Sequence, residues 1–89
     1  MKAIVTVVGK DRVGIIASVC TKLAEYNVNV LDISQTVMQG YFTMMMATDI
    51  SQCSIPVAEL SRQMEATGQE MGLSIHVQRE DIFLAMHRV

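Results

Sequence analysis

Apolar positions recur along this chain with two periods, and the switches between them divide it into elements. Residues Lys2 to Val8 (KAIVTVV) are β-branched and apolar on both faces, the pattern of a central strand covered on both sides. Gly9 ends that run. Beyond a polar turn, Ile15, Ile16, Val19, Cys20, Leu23 and Ala24 recur at three- and four-residue spacing. Ser18, Thr21, Lys22 and Glu25 fill the opposite side, which predicts an amphipathic helix. Asp11 stands where a cap or first-turn acid belongs, and Asn27 suits the left-handed residue that ends a helix.

Val28 to Met38 alternates, with Val28, Val30, Asp32 and Ser34 on one side and Asn29, Leu31, Ile33 and Val37 on the other. That is a partly polar edge strand, bulged near Asp32. Gln39-Gly40 supplies a turn with glycine at a positive φ, and Tyr41 to Ile50 returns antiparallel, apolar on both faces. After the polar connection Ser51 to Ser54, Ser54 is the expected cap and Pro56 falls in the first turn of a second helix. Val57, Leu60, Met64 and Met71 mark its buried stripe, and it ends near Gly68 to Gly72. Leu73, Ile75 and Val77 alternate with Ser74, His76 and Gln78 in a fourth strand. A short helix follows, opened by Glu80-Asp81, closed by His87-Arg88, and carrying Ile82, Phe83, Met86 and Val89.

The order β-α-β-β-α-β with short connections folds most simply as an α+β, ferredoxin-like sandwich: a four-stranded antiparallel sheet with two helices on one face. The first and third strands are then central. The helix-free face exposes Val5 and Val7, or their neighbours, beside methionines of the third strand. An apolar patch of that kind marks an interface, and a homodimer is expected.

Composition narrows the function. A chain of 89 residues, 51% hydrophobic and 18% charged, makes one domain over residues 1–89. Net charge is −2 and the seven basic residues are scattered, which argues against a nucleic-acid module. No stretch approaches the roughly 18 apolar residues of a membrane span, and the N-terminus enters a strand with no signal-peptide pattern. Cys20 and Cys53 form no CxxC and are read as reduced thiols, which places the protein in the cytoplasm. Cys20 reads as a small buried hydrophobe and Cys53 as a loop thiol. His76 and His87 stand apart from each other and from acids, so no metal or cofactor is expected. The run Met44-Met45-Met46 reads as core and dimer packing.

One stretch combines glycine freedom, mixed charge and a helix start: Gly9-Lys10-Asp11-Arg12-Val13-Gly14. Free N–H groups at a helix N-terminus attract a carboxylate, Gly14 allows close backbone approach, and Asp11 accepts from an amine. The same residues also read as a bare strand-to-helix connection in which Asp11 only caps. Asp32 reads as edge protection.

The segment VTVVGKDRVGIIASVCTKLAEYNVNVLDISQTV resembles the opening half of an ACT domain, a small-molecule-sensing module of amino-acid metabolism. The likeness lies in the strand ending at Gly9, the turn Asp11-Arg12, the helix opening Val13-Gly14-Ile15-Ile16, and the run from Asn27 to Ile33. Glu59 to Val77 continues it, and the tail Met86-His87-Arg88-Val89 resembles that of small stand-alone ACT proteins. The resemblance implies a paired, non-catalytic regulatory module holding an amino acid where the first turn meets a strand of the partner. Its ligand-binding positions fall on Gly9, Lys10, Asp11, Arg12, Val13, Gly14 and Ile15, with Asn29 as an amide at the start of the second strand. Many amino-acid-binding members have an Asn and a Pro where this chain has Asp11 and Val13. Asp11 repels a ligand carboxylate but can hold its ammonium. A stand-alone module must also pass its signal to a further protein target.

Other readings share the element order. A structural dimerisation module needs no ligand. An acylphosphatase-like hydrolase would pair Arg12 with an asparagine, and only Asn27 and Asn29 are available. An RNA-recognition module would need aromatics on its central strands, where this chain offers Tyr41 and Phe42 at one end. A metal chaperone would need paired cysteines in the first turn, which are absent.

Overall fold

The first strand, β1 (Lys2–Lys10), shows how the chain chooses an inside. One parity holds Ala3, Val5, Val7 and Gly9 and no polar side chain; the other holds Lys2, Thr6 and Lys10 beside Ile4 and Val8. The wholly apolar parity is the buried one, with Ala3, Val5 and Val7 out of reach of solvent. It is therefore the neighbours of Val5 and Val7 that line the helix-free face.

In the computed structural model, which describes residues 1–86, β1 is followed by α1 (Ile15–Glu25), β2 (Asn29–Met38) and β3 (Tyr41–Asp49). Then come α2 (Val57–Met71), β4 (Ser74–Arg79) and α3 (Glu80–Met86). The strands pair antiparallel in the order β2-β3-β1-β4, a ferredoxin-like sheet with β1 and β3 central. Val5 faces Met46 and Val77, and Val7 faces Met44 and Ile75, so three strands present one apolar layer. Ile15, Val19 and Leu23 of α1 and Leu60 and Met64 of α2 close over that layer in one core. Each such buried side chain contributes about 1.5–3 kcal/mol relative to exposure. Thr48 is the one buried polar residue of the described core, and its Oγ1 donates to the Ala3 carbonyl at 2.8 Å. The methionine run divides by parity: Met44 and Met46 are interior, while Met45 is 40% exposed on the open face. Cys20 and Cys53 are free, half-buried thiols packed against the core.

Several element ends differ from the sequence reading. β1 does not stop at Gly9 but continues to Lys10. A Cβ on Gly9 would lie 2.4 Å from Leu73 Cδ2, so the glycine leaves room for a buried leucine and does not break the strand. Asp11 caps nothing. The N-cap of α1 is Gly14 at φ 90°, without a side-chain cap bond, and the Asp11 N–H donates to the Gly40 carbonyl at 2.8 Å. Ser54 is likewise no cap: its N–H donates to the Tyr26 carbonyl at 2.9 Å, and Pro56 occupies the N-cap of α2. The edge position of β2, its bulge between Val30 and Asp32, and the left-handed Asn27 (φ 61°) agree with the sequence reading. His87 and Arg88, expected to close the last helix, lie outside the described residues. Among those described, no helix is long and apolar enough to cross a membrane.

α2 runs through Gly68 and ends at the left-handed Gly72. A Cβ on Gly68 would sit 2.7 Å from the Leu73 carbonyl oxygen and 3.0 Å from Ile75 Cγ1. Helix and strand backbones thus approach as closely as glycine allows. Gly68→Ala gains about 1 kcal/mol of helix propensity, but overpacking against backbone costs about 1–3 kcal/mol. We expect a net loss near 1 kcal/mol, a fall in Tm of roughly 4–8 °C for a domain this size. Thermal denaturation showing an equal or higher Tm would mean that the two backbones separate freely.

Three carboxylates are held below their ordinary range. Asp49 accepts from the Ser51 hydroxyl and backbone N–H. Glu59 accepts from Gln63 and then Arg62, and Asp81 pairs with Arg79. A folded pKa below the unfolded one contributes stability above the unfolded value and loses it as pH falls through the folded value. Stability should therefore drop on acidification below about pH 4. Urea titrations between pH 6 and 3 should show Asp49→Asn with a shallower dependence than the parent; an identical slope would remove Asp49 from the account.

Candidate functional site

A cleft of about 520 Å³ opens where the β1–α1 turn, the first turn of α1 and the last residues of β2 converge. Its frame is backbone. Gly14 has the left-handed φ that side chains resist, and open space surrounds its missing Cβ, so conformation alone demands glycine here. The bond from Asp11 to Gly40 fastens the turn to the β2–β3 hairpin, whose Gln39 and Gly40 both have positive φ. This two-residue connection is the kind that matches strand twist. The first bond inside α1 runs from the Ser18 N–H to the Gly14 carbonyl at 2.9 Å. The N–H groups of Ile15, Ile16 and Ala17 precede it without an intrahelical acceptor, and no side-chain cap or first-turn acid serves them. All three residues line the cleft. Such donors, with the positive end of the helix dipole, favour an anion.

Asp11 and Arg12 line the same cleft, both exposed. Neither side chain makes a hydrogen bond or ion pair with another described residue. A free carboxylate, a free guanidinium and three uncapped N–H groups thus share one opening. Its floor is different in character. Val37 lies opposite buried Phe42, Gln35 opposite buried Met44 and Ile33 opposite buried Met46, so these β2 residues point toward the helix layer. Even so, Val37 is 53% exposed and Ile33 40%. β1, β3 and β4 each bury their inward row, whereas no residue of β2 is fully buried, so the helix layer stops short of this edge strand. Val37, Phe42 and Gln35 form the floor, and Ile16 and Ala17 the helical wall.

The structure brings Asp11, Arg12, Gly14 and Ile15 together and leaves the other expected residues aside. Gly9 packs under Leu73, and Lys10 pairs across the sheet with Tyr41. Val13 is wholly exposed on the turn and is not part of the lining. Asn29 begins β2, whereas the cleft takes Gln35, Thr36 and Val37 from near its other end, six to eight residues and roughly 20–27 Å away. There it borders a separate recess with Asn27 and Gln52, where Asn27 Nδ2 donates to the Gln52 carbonyl at 2.9 Å. Arg12 lies before α1 at the cleft and both asparagines lie beyond the other end of α1 in that separate recess, so an acylphosphatase pairing is not assembled within the chain.

Ile16, Ala17, Gln35, Thr36, Val37 and Phe42 were missing from the sequence reading of the site. A signal for the β2 and β3 residues existed: the hairpin at Gln39-Gly40 returns the chain beside the end of β1, so the last residues of β2 must lie near the first turn. Among the described residues no group of three or more His, Cys, Asp or Glu could hold a metal ion.

Comparison with known proteins places the chain. The ACT-domain family model matches residues 2–78. The UPF0237 protein of Listeria innocua is 53% identical over 89 residues, covering the whole of both chains. Among solved structures, an ACT domain protein from Streptococcus pneumoniae shares 47% identity and superposes with a TM-score of 0.83 over 93% of each chain. A formyltetrahydrofolate deformylase from Pseudomonas syringae pv. tomato, 21% identical with a TM-score of 0.77, matches 88% of this chain with 27% of its own and shares the fold alone. The element order, the sheet and these matches agree: the chain belongs to the ACT-domain family, whose members are commonly regulatory ligand-binding modules.

Proposed function

We propose that this chain is a non-catalytic regulatory module that binds a free amino acid at the Gly9–Gly14 turn and works as a homodimer in the cytoplasm. The observation that carries this reading is the unpaired Asp11 and Arg12 beside the uncapped first turn of α1. An amino acid has matching charges. Its carboxylate suits the α1 donors and the Arg12 guanidinium, and its ammonium suits Asp11. Gly9, Lys10 and Val13 then shape and flank the turn more than they touch the ligand. Residues 1–89 act as one domain, and output passes through a protein target not yet identified.

The homodimer also gives Asn29 a part. β2 is an edge strand of ten residues with exposed Leu31, Ile33, Val37 and Met38, a ready template for pairing. Two copies joined antiparallel through β2 about a two-fold axis near mid-strand would set residue 29 of one beside the turn of the other. A purely structural dimerisation module is the second reading, favoured by that same open edge.

Thermal denaturation with a panel of amino acids tests the binding. A ligand at a hundredfold over its Kd adds about 2.7 kcal/mol, so Tm should rise by roughly 10 °C or more. A flat panel at millimolar concentrations would leave the dimerisation module as the better account. Sedimentation at micromolar concentration should report a dimer; a monomer would refute the paired edge. Asn29→Ala should remove the ligand shift with the dimer intact, whereas retained binding would take Asn29 out of the site.

A further inference from the structure

The lining of the cleft separates into a charged end and an uncharged one, and this division speaks to the ligand's side chain. Among the described residues, Asp11 and Arg12 are the only charged side chains in the lining, and both belong to the turn. Past them the cleft runs between Ile16 and Ala17 on α1 and Val37 and Gln35 on β2, over the buried ring of Phe42. Val37 turns its exposed surface into this space, because its partner Phe42 is buried on the same face of the sheet.

We infer that the ligand is an amino acid with an uncharged, apolar side chain, of the size class of valine, leucine, methionine or phenylalanine. This rests on the amino-acid reading above and narrows it. The ammonium and carboxylate of any zwitterion occupy the Asp11 and Arg12 charges. A third charge, as in glutamate or lysine, meets no further counter-charge among this chain's described lining residues and loses water against Ile16 and Val37. Glycine and serine leave the same surface wet. Each methylene moved from water onto an apolar wall is worth about fourfold in affinity. A leucine side chain lying partly on this wall should therefore outbind alanine by about tenfold or more. Gln35 and Thr36 supply an amide and a hydroxyl to the lining, enough to orient a head group but not to neutralise a charge.

Calorimetric titration of the full chain with glycine, alanine, serine, leucine, methionine, phenylalanine, glutamate and lysine tests the inference, alongside Val37→Ser and Val37→Phe. The apolar members should bind tightest. Val37→Ser should weaken leucine by about tenfold with little effect on alanine, and Val37→Phe should shift preference toward alanine and other small side chains. Unliganded Tm and sedimentation of both variants establish that fold and assembly are kept. Tightest binding by serine, glutamate or lysine would overturn this inference and leave amino-acid binding standing. Leucine affinity equal to the parent in both variants would also overturn it. No heat and no Tm shift with any member would remove the amino-acid reading and the side-chain class together.

Discussion

A four-stranded sheet with two helices can bury only one of its faces, and the alternation of β1 decides which. The parity of Ala3, Val5 and Val7 is free of polar atoms, while the other carries Lys2, Thr6 and Lys10. Once β1 has turned its apolar parity inward, antiparallel registry carries the choice to Met44 and Met46 on one side and Ile75 and Val77 on the other. It then passes through β3 to Ile33, Gln35 and Val37 at the edge. The helices cover the inward rows of β1, β3 and β4 and leave this last row uncovered. The cleft is thus a remainder of core formation: the part of the inward-facing surface that the helix layer does not reach.

Much of this was legible in the chain. Periodicity distinguished strands from helices because Leu, Ile and Val fall at spacings only one geometry can bury. The bulge near Asp32 and the left-handed Asn27 could be placed because each breaks a local pattern in a way few residue types allow. Parity within β1 was left open, since Ile4 and Val8 are as apolar as Val5 and Val7, and only the polar members of the set discriminate.

The site was legible in its turn and illegible in its walls. Asp11, Arg12 and Gly14 announce themselves as charge and backbone freedom next to a helix start. Val37 and Gln35 look like ordinary edge residues, and their place in the lining of the cleft follows from a registry that no local pattern encodes. Gly9 misled for a related reason. Its smallness leaves room for Leu73, far away in sequence, so a residue that reads as strand punctuation sits instead at a packing contact. Asp11 misled as a cap because Gly14, lacking any side chain, starts the helix by conformation alone.

The bond from the Asp11 N–H to the Gly40 carbonyl has a consequence for how such a cleft can be altered. It joins a turn to a hairpin tip across a 2.8 Å gap, so a residue gained or lost in either segment pulls against the other. Length is therefore a poor variable for retuning this opening. Exchange of side chains is the free one: Asp11, Arg12, Gln35 and Val37 all project from a frame whose dimensions stay fixed. Substitution at these positions changes the chemistry of the opening and leaves its frame in place, whereas an insertion disturbs the frame itself.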